Sequence, residues 1–354
     1  MRVRLDGWRR AGARGWRVAA VGALCVVGVA AATALRPGKV AVGGEDPWVC
    51  TPEDPCSCTS IVVGRKASAD GSVITSHTCD GDYRTWIDIR PRRKNEPGAV
   101  NTIFTGLLHN AFPGDMRGVE KRGEIGEVPE SYGFINTAYP AMNEHQLGIG
   151  ETTFIGRLSM QSDSGLFLIE ELERIMLERA KTAREAIRIA DSLTAQYGFI
   201  DVGEALTIID PQEAWLFEIV GPGKDRKGAV WAAVRIPDDH VAVSANVPRI
   251  GEVDLSDPNR MLASSNIFTR AQELGLWDPK SGKPFRFYEV YGDRDSNHAR
   301  REWRVLSLAA PSLGLEPETP ELPISVKAER KISVRDVMAM FRDTYEGTPY
   351  DPIG

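Results

Sequence analysis

The chain has 354 residues, of which 42% are apolar and 26% are charged, and its formal net charge is −6 at neutral pH. This length and apolar fraction allow one large folded domain or two ordinary ones. The negative charge gives no electrostatic support for binding nucleic acid, so we expect no nucleic-acid partner. Five cysteines are too few for a disulfide scaffold.

The first 35 residues predict a secretory signal peptide. An arginine-rich region precedes an apolar stretch from Val18 to Leu35, and Ala32-Thr33-Ala34 fits a small-residue cleavage site. The alternative is an uncleaved signal anchor, because the apolar stretch is nearly long enough to span a bilayer. We therefore expect a secreted or periplasmic (extracytoplasmic) protein, with membrane attachment only through this segment.

Residues 36–57 are predicted to be a linker and propeptide. The segment is short and contains proline and glycine. Its cysteines, Cys50 and Cys56, could pair in an oxidising compartment.

The stretch that begins at Cys58 predicts a β-hairpin. The apolar run Ile61-Val62-Val63 is typical of a buried strand, Asp70-Gly71 indicates a tight turn, and Val73-Ile74-Thr75 predicts the returning strand. In a hairpin, the start of the first strand lies beside the end of the second. We therefore expect Cys58 to lie next to residues that follow the second strand.

Those residues include His77 and Asp80, which could support a nucleophilic thiol at Cys58. Cys79 is interpreted as a small core residue. His77 could be the base that activates the thiol. Alternatively, Cys58 could become the first residue of the mature chain, so that its own α-amino group accepts the proton. Cys56 is a rival nucleophile, but Cys58 is preferred because a threonine and the β-strand follow it at once.

The remaining elements predict a layered α+β fold. Helical spacing of apolar residues predicts two helices between residues 165 and 197, the second capped by Thr182. Alternating or continuous apolar runs predict strands, and further amphipathic patterns predict helices near the carboxyl end. The predicted strands are 86–90, 146–149, 205–209, 214–220, 229–236 and 241–245, and the later helices are 266–274, 300–308 and 333–345. Residues 92–98 are predicted to be a loop, and residues 107–132 a long irregular excursion.

Neither a metal nor an organic cofactor is expected. The five histidines form no His-Glu-x-x-His motif, and no Cys/His cluster has zinc-site spacing. Phosphate-loop and dinucleotide fingerprints are also absent from the sequence. A papain-like pairing of Cys58 with His145, His240 or His298 remains formally available, but the residues around Cys58 do not resemble that class.

The run from Cys58 to Ser72, Cys-Thr-Ser-Ile-Val-Val-Gly-Arg-Lys-Ala-Ser-Ala-Asp-Gly-Ser, resembles the start of mature dipeptidase A-type peptidases. These are relatives of the secernins and belong to the N-terminal-nucleophile (Ntn) hydrolases. Four later blocks resemble the same family: Met142–Thr153, Ala245–Ile250, Arg300–Arg304 and Phe341–Asp351. The resemblance implies a four-layer αββα sandwich with antiparallel sheets and an amino-terminal cysteine exposed by autocatalytic cleavage.

The resemblance also implies roles for individual residues. Asn246, at a predicted strand end, matches an oxyanion-binding asparagine, and a side-chain amide suits that role. Thr153 matches a residue that contacts substrate, and Arg301 matches an arginine near the nucleophile that could bind a dipeptide carboxylate. Arg249 is a further candidate for substrate binding. Asp80 could hold the α-ammonium or orient Cys58.

His77 stands where the family leads us to expect an arginine. If that arginine tunes the pKa of the thiol, His77 would do so only when it is protonated, so activity would depend more strongly on pH. His77 is also a candidate for substrate binding.

The sequence thus predicts a cysteine dipeptidase domain over residues 58–354 that acts on dipeptides or short peptides. Family members generally continue beyond the last block, whereas this chain stops at Gly354, so we expect the carboxyl-terminal part of the domain to be truncated. The alternatives are a hydrolase or acyltransferase acting on non-peptide amides, and an inactive truncated relative. A homo-oligomer is left open.

Overall fold

The computed structural model describes residues 58–79, 86–106, 108, 116–292, 299–317, 319 and 321–352. The predicted signal segment, linker and Cys50–Cys56 pair lie outside the described residues, as does Asp80. Among the helices that are described, none has the length and apolar character needed to cross a membrane.

The described residues contain sixteen strands and six α-helices. The strands are β1 Thr59–Val63, β2 Ile74–Thr78, β3 Asp88–Arg90, β4 Arg93–Lys94, β5 Val100–Gly106, β6 Val119–Gly126, β7 Glu130–Ser131, β8 Phe134–Asn136, β9 Met142–Asn143, β10 Gly148–Thr153, β11 Glu204–Ile209, β12 Ala214–Val220, β13 Val230–Ile236, β14 His240–Ser244, β15 Met261–Ala263 and β16 Ser325–Lys327. The helices are α1 Ile169–Arg179, α2 Ala183–Tyr197, α3 Ile267–Glu273, α4 Phe287–Val290, α5 Ala299–Ala309 and α6 Val334–Phe341.

Two antiparallel sheets organise these elements. One has four strands in the order β16-β14-β1-β2, and the other has eight in the order β15-β13-β12-β11-β10-β9-β8-β3. The pairs β5-β6 and β4-β7 form two small additional sheets. Strand β1 is paired along both edges, with β14 on one side and β2 on the other, so its backbone is held firmly.

Alternating residues on the strands separate the protein into layers. On β11, Leu206 and Ile208 pack in the cluster that contains α1 and α2, while Ala205 and Ile209 pack toward the other sheet. On β1, Ile61 and Val63 pack with residues of α5 and α6. Since successive side chains of a strand point to opposite faces, helices cover the outer face of each sheet. The fold is therefore α+β, with antiparallel sheets, as the sequence predicts.

Hydroxyl groups join the two sheets where they face each other near the start of β1. Thr207 of β11 lies 2.5 Å from the Ser60 hydroxyl and 2.7 Å from that of Thr75. A Cβ atom added to Gly150 would lie only 2.7 Å from the Ser60 and Thr207 hydroxyl oxygens. Glycine at this place on β10 therefore allows the sheets to approach closely enough for these hydrogen bonds.

The predicted helices and most predicted strands are present. The Thr182 side chain accepts a hydrogen bond from the Glu185 backbone and caps α2, as predicted. The prediction of an irregular excursion over residues 107–132 is wrong in part, because residues 119–126 form β6 and pair with β5. The charged, weakly apolar sequence of β6 is mostly exposed, so it lacks the alternation that would have indicated a strand. The last predicted helix also ends earlier, at Phe341.

Candidate active site

Cys58 lies directly before β1 and is fully buried. Its main-chain nitrogen donates a hydrogen bond to Asn246 Oδ1 at 2.8 Å. The pairing of β1 with β14 explains this contact, because Ser60 is opposite Ser244. Extending the antiparallel register by two residues brings residue 58 opposite residue 246.

Asn246 follows β14 with a backbone φ of 61°. Asparagine tolerates this left-handed conformation better than most residues that have a Cβ atom. Its Nδ2 donates to the Thr153 carbonyl oxygen at 2.6 Å, so the amide joins the start of β1 to the end of β10. The sequence singled out Asn246 as an oxyanion donor, and the structure adds that its oxygen accepts from Cys58.

Arg301 of α5 completes this arrangement. Its Nη1 donates to the Cys58 carbonyl oxygen and, at 3.0 Å, to Thr59 Oγ1. Its Nη2 donates to Asn246 Oδ1 at 2.9 Å and to the Ala245 carbonyl oxygen at 3.0 Å. The planar guanidinium can make these contacts at once because its donors have a fixed fork geometry.

Cys79 and Glu151 surround the Cys58 thiol. The two sulfur atoms and a Glu151 carboxylate oxygen all lie within 4.8 Å of one another, and Cys79 Sγ is 4.0 Å from Glu151 Oε2. The hairpin register places Thr59 opposite Thr78, so Cys79 lies across from Cys58. Its interpretation as a small core residue misses this contact, which the equal spacing about the hairpin turn could have indicated.

Buried acids extend this neighbourhood toward α1. Glu151 and Glu204 are hydrogen-bonded through their carboxyl groups, and burial raises the pKa of each well above the usual range for glutamate. Burial also raises the pKa values of Glu170 and Glu173 in α1, with repulsion from neighbouring carboxylates adding to the effect. These groups therefore favour their protonated forms at neutral pH.

The environment of Cys79 likewise favours its thiol form. The hydrogen bond with Cys58, then burial and the neighbouring charge of Glu151, raise the pKa of Cys79 far above its ordinary value. A protonated Cys79 can donate its S–H toward a sulfur atom nearby.

His77 lies on β2 opposite Ser60, two residues before Cys79 and therefore further from the thiol in the register. Its ring meets Tyr139 edge-on, with ring centroids 6.2 Å apart. Burial lowers the pKa of His77 to about 4, so the imidazole is neutral at neutral pH. A neutral His77 does not supply the positive charge that an arginine would carry.

Arg249 is held in a buried ion pair. Its Nη1 lies 2.8 Å from Glu302 Oε2, with the two side chains 2% and 0% exposed, and its Nη2 donates to the Pro323 carbonyl at 2.6 Å. The backbone nitrogen of Arg249 also donates to Glu218, and burial raises the pKa of Glu218 to about 8. These contacts connect the loop after β14 to α5, the helix that carries Arg301.

The structure thus brings together Cys58, Asn246, Arg301 and the Thr153 backbone. The Thr153 hydroxyl donates to Glu151 Oε1 at 3.1 Å. Glu151 belongs to the Met142–Thr153 block that resembles the family, but the sequence alone assigns it no role. The signal that Glu151 is a functional residue is its completely buried carboxyl beside a thiol, and only the three-dimensional structure reveals it.

A separate cavity of about 570 Å³ lies beside α1. Its charged lining includes Arg90, Arg93, Arg174 and Glu170, whereas Cys58 is not part of the lining. Glu170 also interacts electrostatically with Glu151. Among the described residues, the buried acids connect the lining of this cavity to the surroundings of the thiol.

Facing antiparallel sheets, flanking helices and a buried cysteine at the start of an inner strand define an α+β protein with a candidate cysteine-nucleophile site. The family model described as Peptidase family C69 matches residues 57–354. The chain belongs to this peptidase family, and the resemblance of its Cys58–Ser72 run to dipeptidase A-type peptidases is confirmed.

Relatives of this chain carry related names. It is 28% identical over 323 residues to "Probable dipeptidase" of Latilactobacillus sakei, covering 84% of this chain and 62% of the relative. It is 28% identical over 320 residues to "Probable dipeptidase" of Salmonella dublin, covering 84% and 68%. It is 29% identical over 311 residues to "Probable dipeptidase B" of Lactococcus lactis subsp. lactis, covering 84% and 62%. The chain therefore spans about 62% of the length of two of these relatives.

Proposed function

We propose that this protein is a cysteine dipeptidase of the Ntn type, with Cys58 as its nucleophile. Its membership of Peptidase family C69 and the dipeptidase names of its relatives support this reaction class. The observation that carries the proposal is the hydrogen bond from the Cys58 main-chain nitrogen to Asn246 Oδ1 at 2.8 Å. This nitrogen would become the catalytic amine, and the amide already holds it in place.

Maturation requires hydrolysis of the peptide bond between residues 57 and 58. The reaction adds one water and leaves a carboxylate on the released segment and an α-amino group on Cys58. A free α-amino group titrates near neutral pH, with a pKa of about 8, so it can accept a thiol proton. Arg301 contacts the Cys58 carbonyl and would keep the new terminus in place.

In the catalytic cycle, the amine takes the thiol proton, directly or through water, and the thiolate attacks the dipeptide carbonyl carbon. Cys79, which is hydrogen-bonded with Cys58, would assist by donating a hydrogen bond to the developing thiolate. Attack converts the carbonyl oxygen to an oxyanion. Asn246 has two N–H donors on Nδ2; the Thr153 carbonyl accepts one, and we assign the second to the oxyanion together with a main-chain N–H.

Collapse of the intermediate breaks the C–N bond. The ammonium of Cys58 protonates the departing amine, which leaves as the second amino acid. The thioester between Cys58 and the first amino acid is then hydrolysed by water, which releases the acid and restores the thiol. Each turnover consumes one water and one dipeptide.

The remaining site residues are assigned supporting roles. We propose that Arg301 and Thr153 border the substrate, and that Asp80 holds its α-ammonium. The ion pair of Arg249 with Glu302 favours a role in positioning α5 over direct substrate contact. His77 is assigned a place beside the substrate as a neutral ring.

We further propose that the first 35 residues direct export from the cytoplasm. The basic region and apolar stretch in the sequence support this proposal. Cell fractionation of the producing organism tests it, and an exclusively cytoplasmic location of the mature chain would refute it.

The deciding experiment expresses the full chain as wild type, Cys58→Ala, Cys58→Ser and Cys56→Ser. Intact mass and amino-terminal sequencing identify the mature start, and hydrolysis is measured on a panel of dipeptides and acyl amides. We expect the wild type to begin at Cys58 and cleave dipeptides, and Cys58→Ala to do neither. Cys56→Ser should retain both properties, since only the propeptide is altered.

Three results would contradict the proposal in different ways. Unchanged maturation and turnover in Cys58→Ala would remove the nucleophile assignment. Loss of both in Cys56→Ser, with a mature start at Cys56, would transfer the role to that residue. If the enzyme hydrolysed acyl amides but no dipeptide, its substrates would be non-peptide amides and the proposed substrate class would be wrong.

A further inference from the structure

The sulfur atoms of Cys58 and Cys79 and a carboxylate oxygen of Glu151 converge from three separate parts of the chain. All three atoms lie within 4.8 Å of one another. Cys58 precedes β1, Cys79 follows β2, and Glu151 lies on β10 of the other sheet. We propose that these three side chains form a binding site for a thiophilic divalent cation such as Zn²⁺.

The spacing fits a zinc coordination shell after a small adjustment. Zn–S distances of about 2.3 Å and Zn–O distances of about 2.0–2.2 Å place neighbouring ligand atoms about 3.5–3.8 Å apart in a tetrahedron. The distance from Cys79 Sγ to Glu151 Oε2 is already 4.0 Å. The ligand atoms would therefore have to move by no more than about 1 Å relative to one another.

The donor set selects the kind of metal. Thiolates favour Zn²⁺ and Cd²⁺ over Mg²⁺ and Ca²⁺, which prefer shells made of oxygen. Three protein ligands leave a fourth tetrahedral position for water.

The surroundings of the three ligands suit a cation. The Glu204 carboxyl is hydrogen-bonded to Glu151 and can orient it as an outer-shell partner. Both carboxylate oxygens of Glu173 are buried without a hydrogen-bond partner among the described residues, and Glu173 interacts electrostatically with Glu151. A bound cation would offset the cost of keeping these acids buried. The partial exposure of Cys79 provides a path for entry.

Binding displaces the two thiol protons and the proton of the Glu151 carboxyl, because zinc ligates the thiolates and the carboxylate. The metal would therefore occupy the sulfur of Cys58. If Cys58 is the nucleophile, as the proposed function holds, then bound Zn²⁺ inhibits the enzyme. The metal site itself depends only on the three side chains and not on catalysis.

The test uses the full chain with Cys25, Cys50 and Cys56 changed to serine, so that Cys58 and Cys79 are its only cysteines. After metal removal, Zn²⁺ affinity is measured by competition with a chromogenic chelator, and Cd²⁺ is added to follow the ultraviolet thiolate-to-metal charge-transfer band. We expect one ion per chain and a band typical of two thiolates.

In that background, Cys79→Ser should weaken Zn²⁺ binding by more than about 100-fold, because loss of a ligand exceeds the effect of losing an outer-shell partner. Thr78→Ala is the matched control, since Thr78 is the exposed neighbour of Cys79, and it should bind as the background does. Glu151→Gln provides a second ligand variant if Cys79→Ser fails to fold, and it should also weaken binding.

Equal affinity in the background, Cys79→Ser and Glu151→Gln would overturn the proposal. Loss of binding when only Cys25, Cys50 and Cys56 are replaced would also overturn it, since the metal would then belong to those cysteines. Because binding is measured without substrate, a protein that binds Zn²⁺ at this site but cleaves no dipeptide would refute the proposed function alone.

Discussion

The main-chain nitrogen of Cys58 lies 2.8 Å from the side-chain oxygen of Asn246, although the two residues are 188 positions apart in sequence. The contact is a direct result of strand pairing, because β1 and β14 are neighbours in the same sheet. A residue that precedes one strand and a residue that follows its partner are thereby held together by the sheet itself.

Replacing Asn246 with aspartate tests the role of its amide. The variant keeps an oxygen that can accept from Cys58 and Arg301, but it loses the N–H donors that contact Thr153 and, we propose, the oxyanion. We expect the kcat for dipeptide hydrolysis to fall about 100- to 1000-fold, the usual effect of removing an oxyanion donor, with a smaller change in KM. Steady-state kinetics on the mature enzyme measure both constants.

Asn266→Asp is the matched control for this substitution. The Asn266 amide also donates to a main-chain carbonyl, that of Ala229 at 3.0 Å, but it belongs to the start of α3. Its kcat should stay within a few-fold of wild type. An Asn246→Asp enzyme with wild-type kcat would show that this amide does not stabilise the transition state.

Arg301→Lys tests the four-contact arrangement around Cys58. Lysine keeps the positive charge but cannot reproduce the fork of donors to Cys58, Thr59, Ala245 and Asn246. Hydrogen bonds to charged groups contribute about 1.5–3 kcal/mol, so we expect kcat/KM to fall about tenfold to hundredfold. Arg300→Lys is the control, because Arg300 is exposed and its guanidinium lies over the Tyr350 ring. Equal kcat/KM values for Arg301→Lys and Arg300→Lys would show that the fork of donors on Arg301 does not contribute to activity.

Arg249→Met distinguishes a positioning role from substrate binding. Removing Arg249 breaks the buried ion pair with Glu302, and breaking such a pair typically costs about 3–5 kcal/mol of unfolding free energy. Denaturant unfolding measures this loss. Adding Glu302→Gln should recover about 0.5–3 kcal/mol, since residues in direct contact couple by that amount. Reduced substrate affinity with unchanged unfolding free energy would instead support the substrate-binding role that the sequence suggests.

His77→Gln tests the consequence of burying the imidazole. The folded pKa is about 4, below the ordinary value of 6.5. As pH falls from 6.5 toward 4, the unfolded chain gains a proton at His77 before the folded protein does, so the histidine destabilises the folded state progressively. Above pH 6.5 this penalty is absent. The unfolding free energy of wild type should therefore fall more steeply over this range than that of His77→Gln.

Denaturant unfolding of both proteins at several pH values measures the difference in slope. His240→Gln is a suitable control, since His240 on β14 is only partly buried and the neighbouring Asp239 opposes the lowering of its pKa by burial. Parallel pH dependences for wild type and His77→Gln would show that His77 is protonated equally in both states.

The sequence predicts the layers well because apolar patterning decides them. The run Ala214–Val220, apolar except for Glu218, forms a fully buried strand, and the helices α1 and α2 begin within a few residues of the predicted starts. The sequence did not predict strand β6, because most of its side chains are exposed and it lacks apolar alternation. Its pairing with β5 is stabilised by backbone hydrogen bonds.

The candidate site is only partly readable from the sequence. Cys58, Asn246 and Arg301 carry recognisable local patterns, and the structure brings them into hydrogen-bond contact. Cys79 carries no such pattern, and although Glu151 lies in the Met142–Thr153 block, no metal-site spacing links it to Cys58 and Cys79. The three residues meet through hairpin register and sheet packing. Motif spacing along a chain cannot report a cluster whose members come from two facing sheets.

Strand β1 also determines what would happen to the chain end that proteolysis creates. Strands β14 and β2 bond to its two edges, so severing the backbone ahead of residue 58 need not loosen the fragment that follows. The new amino terminus would already be held in place by the sheet, with its charge in a fixed position, whereas most chain ends are mobile. The onset of activity would then depend only on cleavage of the peptide bond before residue 58, because no folding step would have to follow it.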